Sequence, residues 1–217
     1  MFEGRECNVD VLAMPVVPPP RALPRPRRST PVTLADHRVF RVERSVFTQP
    51  GTPPHDVQGF TLACGDWCNV VAVTDTDEIV LVWQHRFGID APSLEIPGGL
   101  VDPGEAPLEA AVRELAEETG WEAEGARPLT SVHPNPALQG NRCFSFVARA
   151  ARLGAQRTTP GEICEPVLVS VRDVARALDA GEIEHALAVV ALETYLRRRA
   201  AGEMSITSAS ASSSASS

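Results

Sequence analysis

Residues 99–121 read GLVDPGEAPLEAAVRELAEETGW. Gly99 is followed, after five residues, by Glu105 and, after seven more, by Arg113-Glu114-Leu115-Ala116-Glu117-Glu118-Thr119-Gly120. Pro107 suits the first position of a helix, where its missing N–H costs nothing, and Gly120 suits the position just past the end. The roughly 13 residues between them make a helix of ordinary length. Leu108, Ala111, Val112 and Leu115 recur at helical spacing as an apolar stripe. At 3.6 residues per turn, Glu114, Glu117 and Glu118 fall away from that stripe in one cluster. Glu109, Arg113 and Glu117 form a further row at i, i+4 spacing, where an arginine can tie down a carboxylate.

This is a poor design for an unaided helix. Like charges at i, i+4, as at Glu114 and Glu118, cost on the order of 0.2–0.5 kcal/mol. Both also lie near the helix C-terminus, where the dipole disfavours acid. A hard cation such as Mg²⁺ offsets both costs, because it takes carboxylate oxygens while keeping waters and substrate phosphate oxygens. Upstream, Pro97-Gly98-Gly99 permits close backbone approach, so that a bare carbonyl can join the ligand set. A solvated acidic face is the usual meaning of a glutamate-rich helix. The glycine loop, Glu105 and Arg113, all in register with the acids, argue for a metal instead.

At every specified charged and glycine position the stretch resembles the Nudix box, G-x5-E-x7-R-E-U-x-E-E-x-G-U with U a large aliphatic residue. Trp121 departs from it, aromatic where the pattern is aliphatic, and is expected to change packing beneath the loop rather than chemistry. The resemblance implies an enzyme that hydrolyses a nucleoside diphosphate linked to another moiety, with Mg²⁺ or Mn²⁺ as cofactor. It makes Glu114 and Glu118 the direct metal ligands, Glu117 a further or water-mediated one and the Gly98 carbonyl another. Glu105 and Arg113 become the groups that orient loop and helix. It also implies an α/β fold, an α/β/α sandwich around a mixed sheet.

Further blocks resemble the ADP-ribose pyrophosphatase branch of that family. They are Gln84-His85-Arg86, Ser93-Leu94-Glu95-Ile96-Pro97-Gly98-Gly99, and Gly181-Glu182-Ile183 with His185-Ala186-Leu187. Together they span roughly residues 37–200. Pro136 stands about where that branch often carries a proline past the box, but within His133-Pro134-Asn135-Pro136-Ala137 rather than Ser-Pro-Gly, a difference that bears on substrate. The implied reaction is hydrolysis of the pyrophosphate bond of ADP-ribose or a related nucleoside diphosphate sugar, giving a nucleoside monophosphate and a sugar phosphate. The alternatives are another nucleotide, such as a dinucleoside polyphosphate or a capped RNA end, and a non-catalytic ligand-sensing module. Such modules typically lose box carboxylates, and this chain keeps them.

In relatives of this branch the general base that activates water commonly lies on a loop outside the box. Here the matching loop is 158–166, with Glu162 beside Gly161 as first choice and Glu165 in reserve. Arg86 is the expected phosphate or ribose contact, since a guanidinium binds phosphate oxygens bidentately. Glu95 is a candidate for a sugar hydroxyl. His133 and Arg142 flank the expected substrate loop, and Trp67 and Phe87 are read as base-stacking or core residues.

Bulk properties narrow the class. A chain of 217 residues holds one domain with a proper core, and 43% hydrophobic with 22% charged residues is the balance of a soluble globular protein. No apolar run approaches the roughly 18 residues of a membrane span. Acids at Glu3, Glu6 and Asp10 are unlike a secretory signal. The net charge of −8 disfavours nucleic acid as partner, and Arg25, Arg27 and Arg28 are too few to reverse that. Five cysteines without paired spacing fit reduced thiols and a cytoplasmic location. Cys64 and Cys68 lack the second pair of a zinc site, and Cys143 reads as core.

Residues 1–32 read as a disordered Pro/Arg-rich tail, 203–217 as a Ser/Ala-rich tail, and 33–202 as the domain. By resemblance, residues 33–58 are expected to supply exchanged strands of a homodimer. Strands are expected at 38–47, at 70–74 and 79–83 as a hairpin, at 142–148 and at 167–171. The hairpin runs are apolar on both faces, so the sheet is expected to be covered on both sides. Helices are expected at 172–180, stopped by Gly181, and at 183–199, where Glu184 early and Arg197, Arg198 and Arg199 late suit the dipole.

Overall fold

The computed structural model describes residues 24–152, 154–157 and 163–204. The expected tails over 1–23 and 205–217, and Glu162, lie outside the described residues. Among the described residues the chain divides into two compact units, one of residues 24–32 with Arg44–Gly59, the other of Thr33–Glu43 with residues 60–204.

In the first unit, β1 (Arg27–Arg28) pairs antiparallel with the end of β3 (Phe40–Gln49), Arg27 opposite Thr48 and Arg28 opposite Phe47. Residues 24–32 therefore include a short strand where the sequence reading has tail. Arg28 Nε donates to Ser45 Oγ at 3.0 Å. In the second unit, β2 (Val32–Asp36) turns into β3 through a bond from His37 N–H to the Phe40 carbonyl, 2.9 Å. Strand β4 (His55–Cys64) runs from the first unit into the second.

The second unit is built on a seven-stranded sheet. Its strands are β5 (Trp67–Val73), β6 (Glu78–Arg86), β7 (Ala91–Glu95), β8 (Gly98–Leu100), β9 (Trp121–Val132), β10 (Cys143–Arg152) and β11 (Cys164–Ser170). The order is β11-β6-β5-β10-β9, with β7 joined to β6 and β8 to β5. Strands β5 and β10 are parallel and the other pairs antiparallel, so the sheet is mixed. Helix α1 is Pro107–Thr119, α2 Val171–Asp179 and α3 Ala186–Ala200.

Successive side chains of a strand point to opposite faces, and here both sets are apolar. Val71 and Val73 of β5 and Ile79 and Leu81 of β6 join Val174, Leu192 and Tyr195 of α2 and α3 in one buried cluster. Cys68, Val70 and Ala72 of β5 and Val80 of β6 join Ala110, Ala111 and Leu115 of α1 in the other. Each fully buried Val, Leu or Ile contributes about 1.5–3 kcal/mol relative to exposure. Two apolar faces and two helix layers are one fact, and they make the expected α/β/α sandwich.

Helix α1 has the expected bounds. Pro107 opens it, and Gly120 closes it at φ 70°, donating its N–H to the Ala116 carbonyl at 3.0 Å. Any side chain on Gly120 would meet the Gly154 carbonyl as well. Glu109 does not pair with Arg113; its carboxylate accepts the Ala106 N–H at 3.3 Å and caps the helix. Trp121 packs against the α1-side cluster. Helix α3 starts at Ala186 instead of 183, leaving Glu184 and His185 in the chain that leads into it.

Candidate active site

The acidic end of α1 lies under the glycine loop. Glu118 is 5% exposed. Its Oε2 accepts the Gly98 N–H at 3.0 Å, and its Oε1 accepts Gln84 Nε2 at 3.3 Å and the Cys164 thiol at 3.7 Å. Burial pushes its carboxyl up to about 8; the bond from Gly98 opposes this, and the charge of Glu114 adds to it. The Glu114 carboxylate packs directly on Gly99, where any side chain would overlap it. Any side chain on Gly98 would overlap the Cys68 carbonyl. Backbone thus dictates glycine at 98, whereas a side chain at 99 would have to displace the Glu114 carboxylate.

Arg113 organises the rest. Nε and Nη2 grip Glu105 bidentately at 2.9 and 3.0 Å, Nη1 donates to Glu114 at 2.9 Å and Glu117 at 3.1 Å, and Nη2 reaches the Leu100 carbonyl at 3.2 Å. Glu105 also accepts the Asp102 N–H at 3.2 Å. One guanidinium therefore ties the loop to the helix and holds Glu105 below the usual carboxylate range.

With Glu114 and Glu117 held by Arg113, no group of three or more His, Cys, Asp or Glu side chains among the described residues forms a ready cation cage. The donor chemistry nonetheless suits a hard divalent ion. Two carboxylates one turn apart meet at a glycine pair whose backbone offers a further oxygen, and hard cations take oxygen ligands.

A cavity of about 650 Å³ is lined by Gly98 and Gly99 and by the side chains of Arg86, Glu95, Glu184 and His185, and burial holds the His185 imidazole below its usual range. Arg86 Nε and Nη2 donate to the two oxygens of Glu95, each at 2.7 Å. Glu95 is 2% exposed; that burial would raise its carboxyl, but the bonds from Arg86, the charges beside it and a hydrogen bond from Ser93 hold it below the usual range. Trp67 also lines the cavity. Phe87, 91% exposed, is neither in the core nor in the cavity lining.

Other expected residues stand elsewhere. Arg142 is exposed, donates to Ser131 Oγ at 2.9 Å and lies 3.1 Å from His133 Nε2; neither it nor His133 is in the cavity lining. Glu165 is exposed on β11 opposite Trp83. Its neighbour Cys164 points to Glu118, so strand alternation turns Glu165 to the other face. The structure does not bring Glu165 to the acids of α1. The partners Gln84 and Cys164 carry no local signal, being cross-strand neighbours 80 positions apart. Cys143 is buried, and the four described cysteines are free thiols.

A mixed α/β/α sandwich with a carboxylate helix pressed under a glycine loop is the class that fold and site define. The NUDIX domain model matches residues 68–189, more than half of the chain, and the chain belongs to that family. It is similar to an ADP-ribose pyrophosphatase of Bacillus subtilis (strain 168), 29% identical over 134 residues, 61% of this chain and 72% of that protein. It is also similar to an ADP-sugar pyrophosphatase of Mus musculus, 34% identical over 119 residues, 51% of this chain and 54% of that protein; it thus spans about half the length of the mouse relative. A crystal structure of an ADP compounds hydrolase shares the fold, with a TM-score of 0.72 at 23% identity over 85% of this chain and 100% of that one.

Proposed function

We propose that this Nudix enzyme hydrolyses the pyrophosphate bond of ADP-ribose or a related nucleoside diphosphate sugar with the help of a divalent cation, Mg²⁺ or Mn²⁺. The observation that carries the reading is the meeting of the Glu114 and Glu118 carboxylates at Gly98 and Gly99, which line the cavity. Relatives named for ADP-ribose and ADP-sugar cleavage support the choice of substrate class.

Glu114, Glu118 and the Gly98 carbonyl would hold the cation, with Glu117 as a further ligand. When bound, it supplies positive charge to the pyrophosphate oxygens and activates water. The chain's own groups do the rest. Gly98 N–H, Gln84 and Cys164 fix Glu118; Arg113 and Glu105 hold the loop on the helix. Arg86, oriented by Glu95, offers its guanidinium to the diphosphate. Glu162, outside the described residues, is the candidate base on sequence grounds; Glu165 faces away.

The reading extends to a homodimer formed through residues 33–58, supported by exposed apolar side chains at Leu34, Val39 and Val57. Light scattering of a chain lacking residues 1–58 tests it, and an unchanged dimer mass overturns it. The free thiols support a cytoplasmic location; among the described residues no helix is long and apolar enough to cross a membrane. The decisive assay is a phosphate-coupled panel of ADP-ribose, GDP-mannose, UDP-glucose, dinucleoside polyphosphates and NADH. The expected result is fastest turnover of a nucleoside diphosphate sugar, and a clear preference for one of the other compounds overturns the reading.

A further inference from the structure

The cavity holds one charged arrangement that the proposed chemistry does not use in full. Two consecutive strands and a distant helix meet there: Arg86 at the end of β6, Glu95 at the end of β7, and His185 at the entry to α3. His185 Nδ1 lies 3.3 Å from Glu95 Oε2, the oxygen that also accepts Arg86 Nη2 at 2.7 Å. The carboxylate between them is almost wholly buried, whereas the Arg86 side chain is 42% and the His185 side chain 34% exposed.

The position of His185 is informative. It is the N-cap residue of α3, a place that favours Ser, Thr, Asp or Asn because their side chains satisfy the first helical N–H groups. The His185 side chain makes no such cap bond. The ring is directed at Glu95 and lines the cavity instead. A local rule is given up at this point, as happens where function outweighs local preference. The cavity holds the compensation: a buried carboxylate needs more than one partner to keep a fixed geometry, and the entry of a helix adds positive potential beside it.

We propose that His185 is a positioning residue. Sharing the Oε2 atom of Glu95 with Arg86, it steadies that carboxylate, so that the guanidinium keeps one orientation toward the diphosphate of a bound nucleotide. The proposal rests on the hydrolase reading above and deepens it. His185 touches neither Glu114 nor Glu118 in this account and takes no part in bond cleavage; its contribution is to binding.

The test compares the full-length wild type with His185→Ala and His185→Asn, Asn retaining an N–H donor near the place of Nδ1. kcat and KM are measured for ADP-ribose with Mg²⁺, and thermal midpoints are recorded alongside. The expected result is a KM about fivefold or more above wild type for H185A with kcat within about twofold, and recovery of most of that loss in H185N. An unchanged KM in H185A overturns the proposal while leaving the hydrolase reading intact. So does a fall in kcat alone, which would place His185 in the chemistry, or an equal KM loss in both variants, which would mark mere packing. A wild type that cleaves no nucleoside diphosphate sugar overturns the hydrolase reading and this proposal with it.

Discussion

Two arginine–glutamate arrangements stand near the Gly98–Gly99 loop, and they are built on opposite plans. Arg113 serves Glu105, Glu114 and Glu117, all within a dozen residues on one loop and one helix. Arg86 serves a single carboxylate, Glu95, which His185 approaches from almost a hundred residues away. The first arrangement divides one positive charge among three acids and leaves the helix in need of further cation. The second pairs one guanidinium with one buried carboxylate. Under the proposed function the contrast becomes a division of labour, with the acid-rich side assigned to the cation and the paired side to the substrate.

The largest effect separating the two sides is expected at Glu118. Glu118→Gln removes a charged donor without changing shape, and kcat should fall on the order of a thousandfold, equivalent to several kcal/mol of lost charge stabilisation. Steady-state kinetics at saturating Mg²⁺ reads it. Arg113→Ala should come next. It removes the guanidinium bond to Glu114 and detaches Glu105 from the helix, and outer partners of a metal site are typically worth about 10–100-fold. The loss should appear in kcat and in the Mg²⁺ concentration for half-maximal rate.

On the paired side the effect should be on stability and binding. Arg86→Ala leaves Glu95 buried with only Ser93 and His185 beside it, which should cost about 2 kcal/mol, below the usual range for fully buried pairs because the guanidinium is partly solvated. Urea denaturation measures it, and KM should rise several-fold in parallel. The smallest effect is expected at Glu165. Glu165→Gln should leave kcat within about twofold of wild type, and a tenfold loss would mean that β11 presents its other face to the substrate.

The same contrast sets what was legible in the sequence. The α1 side announces itself through spacing: Pro107, Gly120 and the i, i+4 acids gave the helix to the residue, since all its determinants are local. The two-faced core of β5 and β6 was legible for a similar reason, as continuous apolar runs imply cover on both faces. The short strands β7 and β8 were not, because Ser93 to Gly99 holds its shape by pairing with β6 and β5. Nor was the support of Glu118 by Gln84 and Cys164, which exists only through the register of β6 against β11. Nor was the face that Glu165 takes, because one position along a strand decides the face, and β11 begins one residue before it.

Calorimetric titration of Mg²⁺ into wild type and Glu118→Gln, both melting cooperatively, tests the central claim most directly. The account predicts saturable uptake by the wild type and affinity at least tenfold weaker in the variant. Equal uptake by both proteins, or none by the wild type with nucleotide present, would contradict it.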